Sequence, residues 1–284
     1  MNHLRAMAGA VTAITGFEKG SGKTTFLGHA LPQLRAHGPV AVFTIGVDGA
    51  QKARESRSPA SEIRVEPGDV VMTTQPFAHH GSARLEVLEA LPGRSSLGHL
   101  FLGRVVRGGS VTLVGSDHLS VLADVVARVR EEGLATSVVV DGAVNRLTQV
   151  GALGEVGYIV TARVDRSNLL RAAAHLRHFV TLAGLPIDPH PASDVHRMED
   201  VLDADRLARL PSEVKVLSVE DFTKIFLDPA LLARTLERRA ITVRRGFRLL
   251  GLAVTLRDVE RDELKRALGE AVSEQVIFNP YEAA

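Results

Sequence analysis

The residues of this sequence that are best suited to chemistry lie in one short segment near its start, Gly20–Thr25, which reads Gly-Ser-Gly-Lys-Thr-Thr. Because glycine has no Cβ, a glycine-rich backbone can bring successive N–H groups close to an anion. A lysine here would reach the β- and γ-phosphates of a nucleotide, and a threonine hydroxyl would be a ligand for Mg²⁺. The segment therefore predicts a phosphate-binding loop, with Lys23 on the phosphates and Thr24 on the metal.

The glycine spacing departs from the standard phosphate loop, in which four residues separate the first glycine from Gly-Lys-Thr. Here five residues separate Gly16 from Gly22, and strict alignment places Phe17 at the first-glycine position. The alternative interpretation is a glycine-rich turn between a strand and a helix that happens to contain Lys and Thr. The residues that we expect to bind ATP are Lys19, Gly20, Ser21, Gly22, Lys23, Thr24 and Thr25.

The segments that flank the loop favour the phosphate-binding interpretation. Val11–Thr15 is an apolar run typical of a buried strand, Thr24–Ala36 has apolar residues at helical spacing, and Val40–Ile45 is a second apolar run. Strand, loop, helix and strand form a βαβ unit, which implies a parallel sheet. We therefore predict an α/β protein, a P-loop NTPase with a mostly parallel sheet and helices on both faces, in residues 1–187. A smaller α/β region is predicted in 188–284.

Periodicity predicts the remaining elements. Strands are expected at 70–74, 138–141, 158–162, 214–218, 241–243 and 249–256, and helices at 119–132, 167–183, 198–210, 229–238 and 258–271. His99–Gly115 is predicted to form a β-hairpin that turns at Arg107-Gly108-Gly109. Residues 49–68 are polar and irregular, and we expect a mobile loop there.

A Mg²⁺–nucleotide site also needs a carboxylate that holds the metal or orients the attacking water. Asp48 and Asp141 each follow an apolar run, at the carboxyl end of a predicted strand, where open α/β sheets bind ligands. We expect Lys23, Asp48 and Asp141 to form the catalytic set, and Thr24, Asp48 and Asp141 to hold Mg²⁺. Each aspartate precedes a glycine, and Asp-Gly is a common turn pair, so a capping role is the alternative.

Other polar clusters are assigned to solvated surface. They are the histidine pairs His79–His80 and His175/His178, and the basic pairs Arg238–Arg239 and Arg244–Arg245. In a chain with 34 Lys and Arg against 33 Asp and Glu, short basic runs are usually solvated and give no case for a nucleic-acid partner.

The composition narrows the class of protein further. The absence of cysteine excludes disulfides and thiolate metal sites and fits a cytoplasmic location. No apolar run reaches the length that a membrane span needs, so no membrane partner is expected. No Asn/Thr-Lys-x-Asp guanine signature is apparent, which favours ATP over GTP.

The glycine loop resembles the deviant P-loops of the MinD/ParA and dethiobiotin-synthetase-like ATPases, which carry an extra lysine ahead of the glycines. Strict alignment places Glu18 at the position of that lysine, with Lys19 one residue later. In such proteins the lysine acts across a dimer, so this resemblance also implies a homodimer.

Further segments are similar to the smaller subunit of lysine 5,6-aminomutase reactivase, a P-loop protein. They are residues 44–49, 103–116, 140–146, 221–226 and 276–280. The resemblance implies a chaperone-like ATPase that exchanges damaged cobalamin for intact cofactor on an adenosylcobalamin-dependent aminomutase. Its partners would be that mutase or a second reactivase subunit. The matching positions are Gly20–Thr25 for ATP, Asp48, and Asp141 with Asn145 and Arg146.

The leading hypothesis is thus an ATPase whose nucleotide state switches its contact with a partner protein. The alternative is an ATP-dependent small-molecule kinase or a dethiobiotin-synthetase-like ligase that uses the same loop. A binding module with a decayed loop is a third class, which the intact Gly22-Lys23-Thr24 disfavours.

Overall fold

The computed structural model describes residues 3–18, 20–45, 62–95, 97–116, 118–142, 155–188 and 195–278. By its internal contacts the chain divides into two compact units. The first comprises Met1–Arg163, Leu250–Leu256 and Gln275–Ala284, and the second comprises Val164–Leu249 and Arg257–Glu274. The division therefore lies earlier than the boundary near residue 187 that the sequence suggests. Two C-terminal segments return to the first unit as strands of its sheet, and such a long-range pairing leaves no local signal.

The secondary structure alternates strands and helices along the whole chain. The strands are β1 (Val11–Gly16), β2 (Val40–Thr44), β3 (Glu62–Val65), β4 (Val70–Thr74), β5 (Arg84–Ser95), β6 (Gly98–Arg107), β7 (Gly109–Thr112), β8 (Ser137–Asp141), β9 (Val156–Asp165), β10 (Val195–Arg197), β11 (Leu202–Asp203), β12 (Val216–Val219), β13 (Ile225–Phe226), β14 (Ala240–Val243), β15 (Arg248–Arg257) and β16 (Val276–Phe278). The helices are α1 (Lys23–Arg35), α2 (Gln75–Ala78), α3 (Leu119–Glu131), α4 (Leu169–Ala183), α5 (Ala204–Arg209), α6 (Pro229–Leu236), α7 (Arg261–Leu268) and α8 (Glu270–Ser273). Within the described ranges, no helix is long and apolar enough to cross a membrane.

A nine-stranded sheet forms the centre of the first unit, in the order β16-β15-β9-β1-β8-β2-β4-β6-β5. The strands β9, β1, β8, β2 and β4 run parallel, and β6 and β5 add an antiparallel edge. β1 and β2 lie on either side of β8, as a βαβ unit with an inserted strand requires. The predicted α/β class with a mostly parallel sheet is confirmed.

Helix α1 fixes the position of the segment that precedes it. Its buried side chains recur at helical spacing and are Phe26, Leu27, Ala30, Leu31 and Leu34. They join a core cluster with apolar residues of β1, β2, β3 and β8. Burying the four Phe and Leu side chains stabilises the packing by roughly 1.5–3 kcal/mol each, so the helix is held firmly against the sheet.

The predicted β-hairpin over His99–Gly115 is wrong. β6 pairs antiparallel with β4 and β5, whereas β7 pairs antiparallel with β3. The glycines that suggested a turn allow close backbone approach instead, since a Cβ on Gly109 would lie 2.5 Å from the nitrogen of Ala83. This contact involves a segment more than 20 residues away, which the local pattern could not reveal.

Two predicted helices of the second unit also differ from the structure. The helix expected over 198–210 begins only at Ala204, because the Asp203 side chain accepts a hydrogen bond from the nitrogen of Arg206 (2.8 Å) and caps it there. The helix expected over 258–271 is divided into α7 and α8 by Gly269, which has a φ of 80°. Residues 49–61 of the predicted mobile loop lie outside the described residues, and 62–65 form β3.

The second unit is itself α/β. Strands β10, β12 and β14 form a parallel sheet, and β11 pairs parallel with β13. Helix α4 packs on α7, and the rings of Phe179, Phe222 and Phe247 cluster with centroids 4.6–5.6 Å apart.

A buried carboxylate joins α1 to the sheet of the first unit. Asp69 is 1% exposed and accepts hydrogen bonds from Arg35 Nε (3.0 Å) and Nη2 (2.6 Å). It also accepts from the backbone nitrogens of Val40 (3.3 Å) and Glu66 (2.9 Å). The carboxylate is therefore fully satisfied by the end of α1, the start of β2 and the turn before β4.

We predict that Asp69→Ala lowers the free energy of unfolding by about 3–5 kcal/mol, because it leaves a largely buried guanidinium and two N–H groups without their acceptor. Urea denaturation measures the effect. The control is Glu66→Ala, which removes a half-exposed carboxylate that lies 3.9 Å from Arg64 and should change stability by less than about 0.5 kcal/mol. Equal effects of the two substitutions would contradict the assignment.

Candidate functional site

The glycine loop connects the carboxyl end of β1 to the N-terminus of α1 in the first unit. Gly22 directly precedes the helix with a φ of 96°, and Gly20 has a φ of 80°. Only glycine adopts this left-handed region without strain, so both residues are required by the backbone. The carbonyl of Gly22 accepts the first helical hydrogen bond from the nitrogen of Phe26 (2.9 Å), while the N–H groups of the first turn lack intrahelical acceptors. The loop thus ends in free backbone donors at the start of α1.

The side chains of the loop fall into two groups. Ser21 is only 2% exposed, and its hydroxyl lies 2.7 Å from Thr161 Oγ1 on β9. Lys23 is half-buried, and Thr24 and Thr25 are exposed at the start of α1. Lys23, Thr24 and Thr25 are therefore accessible to a ligand, whereas the Ser21 side chain is part of the protein interior. Lys19 lies outside the described residues.

Asp141 ends β8 between β1 and β2, where it pairs with Ile14 on one side and Thr44 on the other. Its carbonyl accepts hydrogen bonds from Thr44 Oγ1 (3.1 Å) and from the nitrogen of Ile45 (3.1 Å). Its side-chain Oδ1 is buried and, among the described residues, has no hydrogen-bond partner. An unpartnered buried carboxylate oxygen is a group that a cation or a donor on a ligand would satisfy.

The carboxylate of Asp141 interacts electrostatically with Lys23 of the loop. Burial raises the pKa of Asp141 from 3.8 to about 6, and the positive charge of Lys23 offsets part of that rise. The two side chains are therefore close enough to interact, although they are 118 positions apart in the sequence. The structure brings together two of the three residues predicted to be catalytic.

The third, Asp48, lies outside the described residues, as do Asn145 and Arg146. Within the ranges that the structure describes, no cluster of three or more His, Asp or Glu side chains could hold a metal ion. Thr24 and Asp141 are the predicted Mg²⁺ ligands that can be placed. Both are oxygen donors, the type that Mg²⁺ prefers, and Mg²⁺ commonly takes few protein ligands and completes its shell with water and phosphate.

The histidine and arginine pairs that the sequence analysis assigned to the surface contact neighbouring residues of the protein. The ring of His80 lies against Phe77, with centroids 5.1 Å apart. Burial and neighbouring His175 lower the pKa of His178. Arg244 Nη1 donates to the carbonyls of Met198 (3.2 Å) and Ser218 (3.4 Å). Arg244 therefore links the end of β14 to β12 and to the end of β10.

Two threonines beside the loop were not singled out by sequence. Thr161 on β9 contacts Ser21, and Thr255 Oγ1 on β15 lies where a Cβ on Gly22 would come within 2.8 Å. The only signal is a threonine that follows a run of apolar residues within a strand. Thr15, Thr44 and Thr74 share that signal, and threonine favours strands in any case, so it could not identify these two.

A groove of about 340 Å³ runs along α1 and β3, from Thr24 towards Arg35. Gly28 and Pro32 line it, and nothing lies within 4 Å of the position that a Cβ on Gly28 would occupy. Glycine and proline both weaken a helix interior. Gly28 and Pro32 therefore do not stabilise α1, although they line the groove beside the loop.

Comparison of the chain with family models, with curated proteins and with solved structures finds no match.

Asp141→Asn should stabilise the protein at neutral pH, since folding the wild type buries a carboxylate whose pKa is raised from 3.8 to about 6. Between these values the folded protein retains a proton that the unfolded chain has released, so the free energy of unfolding of the wild type falls as pH rises. Above about pH 7 the penalty is complete, and we expect the variant to exceed the wild type by about 3 kcal/mol, because each pKa unit corresponds to about 1.4 kcal/mol.

Urea denaturation in Mg²⁺-free buffer at several pH values measures this difference. The advantage of the variant should shrink as pH falls below about 6 and be small near pH 4. Asp262→Asn, which changes an exposed carboxylate, is the control and should follow the wild type. An advantage that does not depend on pH would contradict the burial of an ionisable Asp141.

Proposed function

We propose that this chain is a P-loop NTPase that binds Mg-ATP at Gly20–Thr25 and hydrolyses it. The observation that carries the proposal is the carboxylate of half-buried Asp141, which has a buried oxygen without a partner among the described residues and is electrostatically coupled to Lys23 of the loop. A glycine loop alone has structural explanations. An acid with a buried, unpartnered oxygen beside the lysine of that loop, at the carboxyl end of the adjacent parallel strand, is costly to fold and suits a metal–phosphate site.

Each side chain then has a role. The N–H groups of the loop and the Lys23 ammonium bind the phosphates, and the hydroxyl of Thr24 and the carboxylate of Asp141 hold Mg²⁺. The metal would neutralise charge that develops on the transferred phosphoryl group. Asp48 is proposed to contact Mg²⁺ or the attacking water. The proposal includes the P-loop NTPase fold with helices on both faces of the sheet, and a cytoplasmic location.

The proposed partner is a protein whose contact depends on the nucleotide. This part rests on the resemblance to the aminomutase reactivase subunit, which implies a cobalamin-dependent aminomutase or a second reactivase subunit. A homodimer is proposed on the likeness to MinD/ParA-type loops.

We predict that Lys23→Ala weakens Mg-ATP binding at least about 100-fold, because a charge-assisted contact to phosphate is lost. Isothermal titration calorimetry with Mg-ATP and Mg-GTP gives the affinity and the base preference. Lys215→Ala, which removes an exposed lysine of the second unit, is the matched control and should bind like the wild type. Equal affinity in both variants, or none in the wild type, would refute the site.

The partner switch predicts nucleotide-dependent capture. Immobilised chain, either free of nucleotide or loaded with Mg-ATP, is presented with a purified adenosylcobalamin-dependent aminomutase. Capture should differ between the two states, and Lys23→Ala should behave as the nucleotide-free protein under both conditions. Equal capture in every case would contradict the switch while leaving ATP binding intact.

The groove beside Thr24 favours one second candidate, an ATP-dependent kinase or ligase that binds a small acceptor along α1. The acceptor would then stimulate ATP turnover without a protein partner. Gly28→Leu, which fills the open space in the groove, should abolish that stimulation and leave Mg-ATP affinity unchanged. Turnover that no small acceptor raises would exclude this candidate.

A further inference from the structure

Thr161 lies within β9, opposite Gly16, the last residue of β1, in the parallel register of the two strands. Its side chain is 1% exposed, and its hydroxyl makes two contacts. It donates to the carbonyl of Thr15 (3.0 Å) and lies 2.7 Å from the hydroxyl of Ser21. A residue of the neighbouring strand thus holds both the end of β1 and the middle of the glycine loop.

The direction of the second hydrogen bond follows from the first. A hydroxyl carries one proton, and that of Thr161 is used on the Thr15 carbonyl. Ser21 must therefore donate to Thr161 Oγ1. The Ser21 proton is thereby committed inside the protein, so this side chain holds the shape of the loop and does not offer a proton to a phosphate.

The same contact explains the displaced glycine of the sequence. A Cβ on Gly16 would lie 2.0 Å from Ser21 Oγ and 2.5 Å from Thr161 Oγ1. Unlike Gly20 and Gly22, Gly16 lies within β1 and does not have a positive φ. Glycine is therefore required at this position for space, because the Ser21 side chain crosses the end of β1 to reach β9.

We propose that Thr161 is a positioning residue of the phosphate loop: through Ser21 it fixes the loop in the conformation that binds phosphate. The inference rests on the proposed nucleotide site at Gly20–Thr25. Without the Thr161 hydroxyl, the buried Ser21 donor loses its acceptor, and the loop can satisfy it only by leaving its place over Gly16.

The test compares four variants by calorimetry with Mg-ATP, at a temperature where urea denaturation shows each of them folded. Thr161→Val, which keeps the shape and removes the hydroxyl, should weaken binding about 10-fold. Thr161→Ser, which keeps the hydroxyl, should bind within about 3-fold of the wild type. Thr12→Val is the matched control, since Thr12 is equally buried on β1 but its hydroxyl has no partner within the described structure; its binding should be unchanged.

Ser21→Ala, the fourth variant, removes the donor from the other side and leaves Thr161 bonded to Thr15, so it tests the link even if Thr161→Val does not fold. It should weaken binding in the same direction. Wild-type affinity in Ser21→Ala or in folded Thr161→Val, or an equal loss in Thr12→Val, would overturn the positioning role and leave the nucleotide site standing. A wild type that binds no Mg-ATP would overturn the proposed function, and the inference with it.

Discussion

The steric freedom of glycine determines the backbone between β1 and α1, and the proposed phosphate site depends on it, because backbone N–H groups can surround an anion only where no side chain stands between them and the ligand. Three glycines contribute to this freedom in different ways. Gly20 and Gly22 take backbone conformations closed to other residues, whereas Gly16 leaves room for the side chain of Ser21. Because α1 is packed on the sheet through its buried face, the loop is fixed at both ends, and its shape follows from the core beneath it.

Two aspartates of the first unit that have buried carboxylate oxygens show how environment separates a structural acid from a candidate functional one. Asp69 has an arginine and two backbone nitrogens as donors, and it stabilises the junction of α1, β2 and β4. Asp141 has a buried oxygen without a partner among the described residues, and its pKa is raised to about 6. A fold that keeps such a group gives up stability, which is the pattern expected where a ligand completes the interactions.

The parallel order of the sheet decides which side chains can reach the loop. β8 lies beside β1 and places Asp141 near Lys23, while β9 on the other side places Thr161 beneath Ser21. β8 thus supplies the carboxylate that the proposed chemistry needs, and β9 supplies the hydroxyl that holds the loop backbone in place. The site is distributed over strands that are far apart in the chain and adjacent in the sheet.

The sequence by itself determined the α/β class, the strand–loop–helix order around Gly20–Thr25 and the position of Asp141 at a strand end. These features depend on the local periodicity of apolar residues and on the Gly-Ser-Gly-Lys-Thr-Thr segment, whose residue types seldom occur together for other reasons. It did not reveal the pairing of β7 with β3, the return of β15 and β16 to the first sheet, or the role of Thr161. Each of these depends on contacts between distant segments, and a threonine within a strand looks the same in sequence whether or not a loop rests on it.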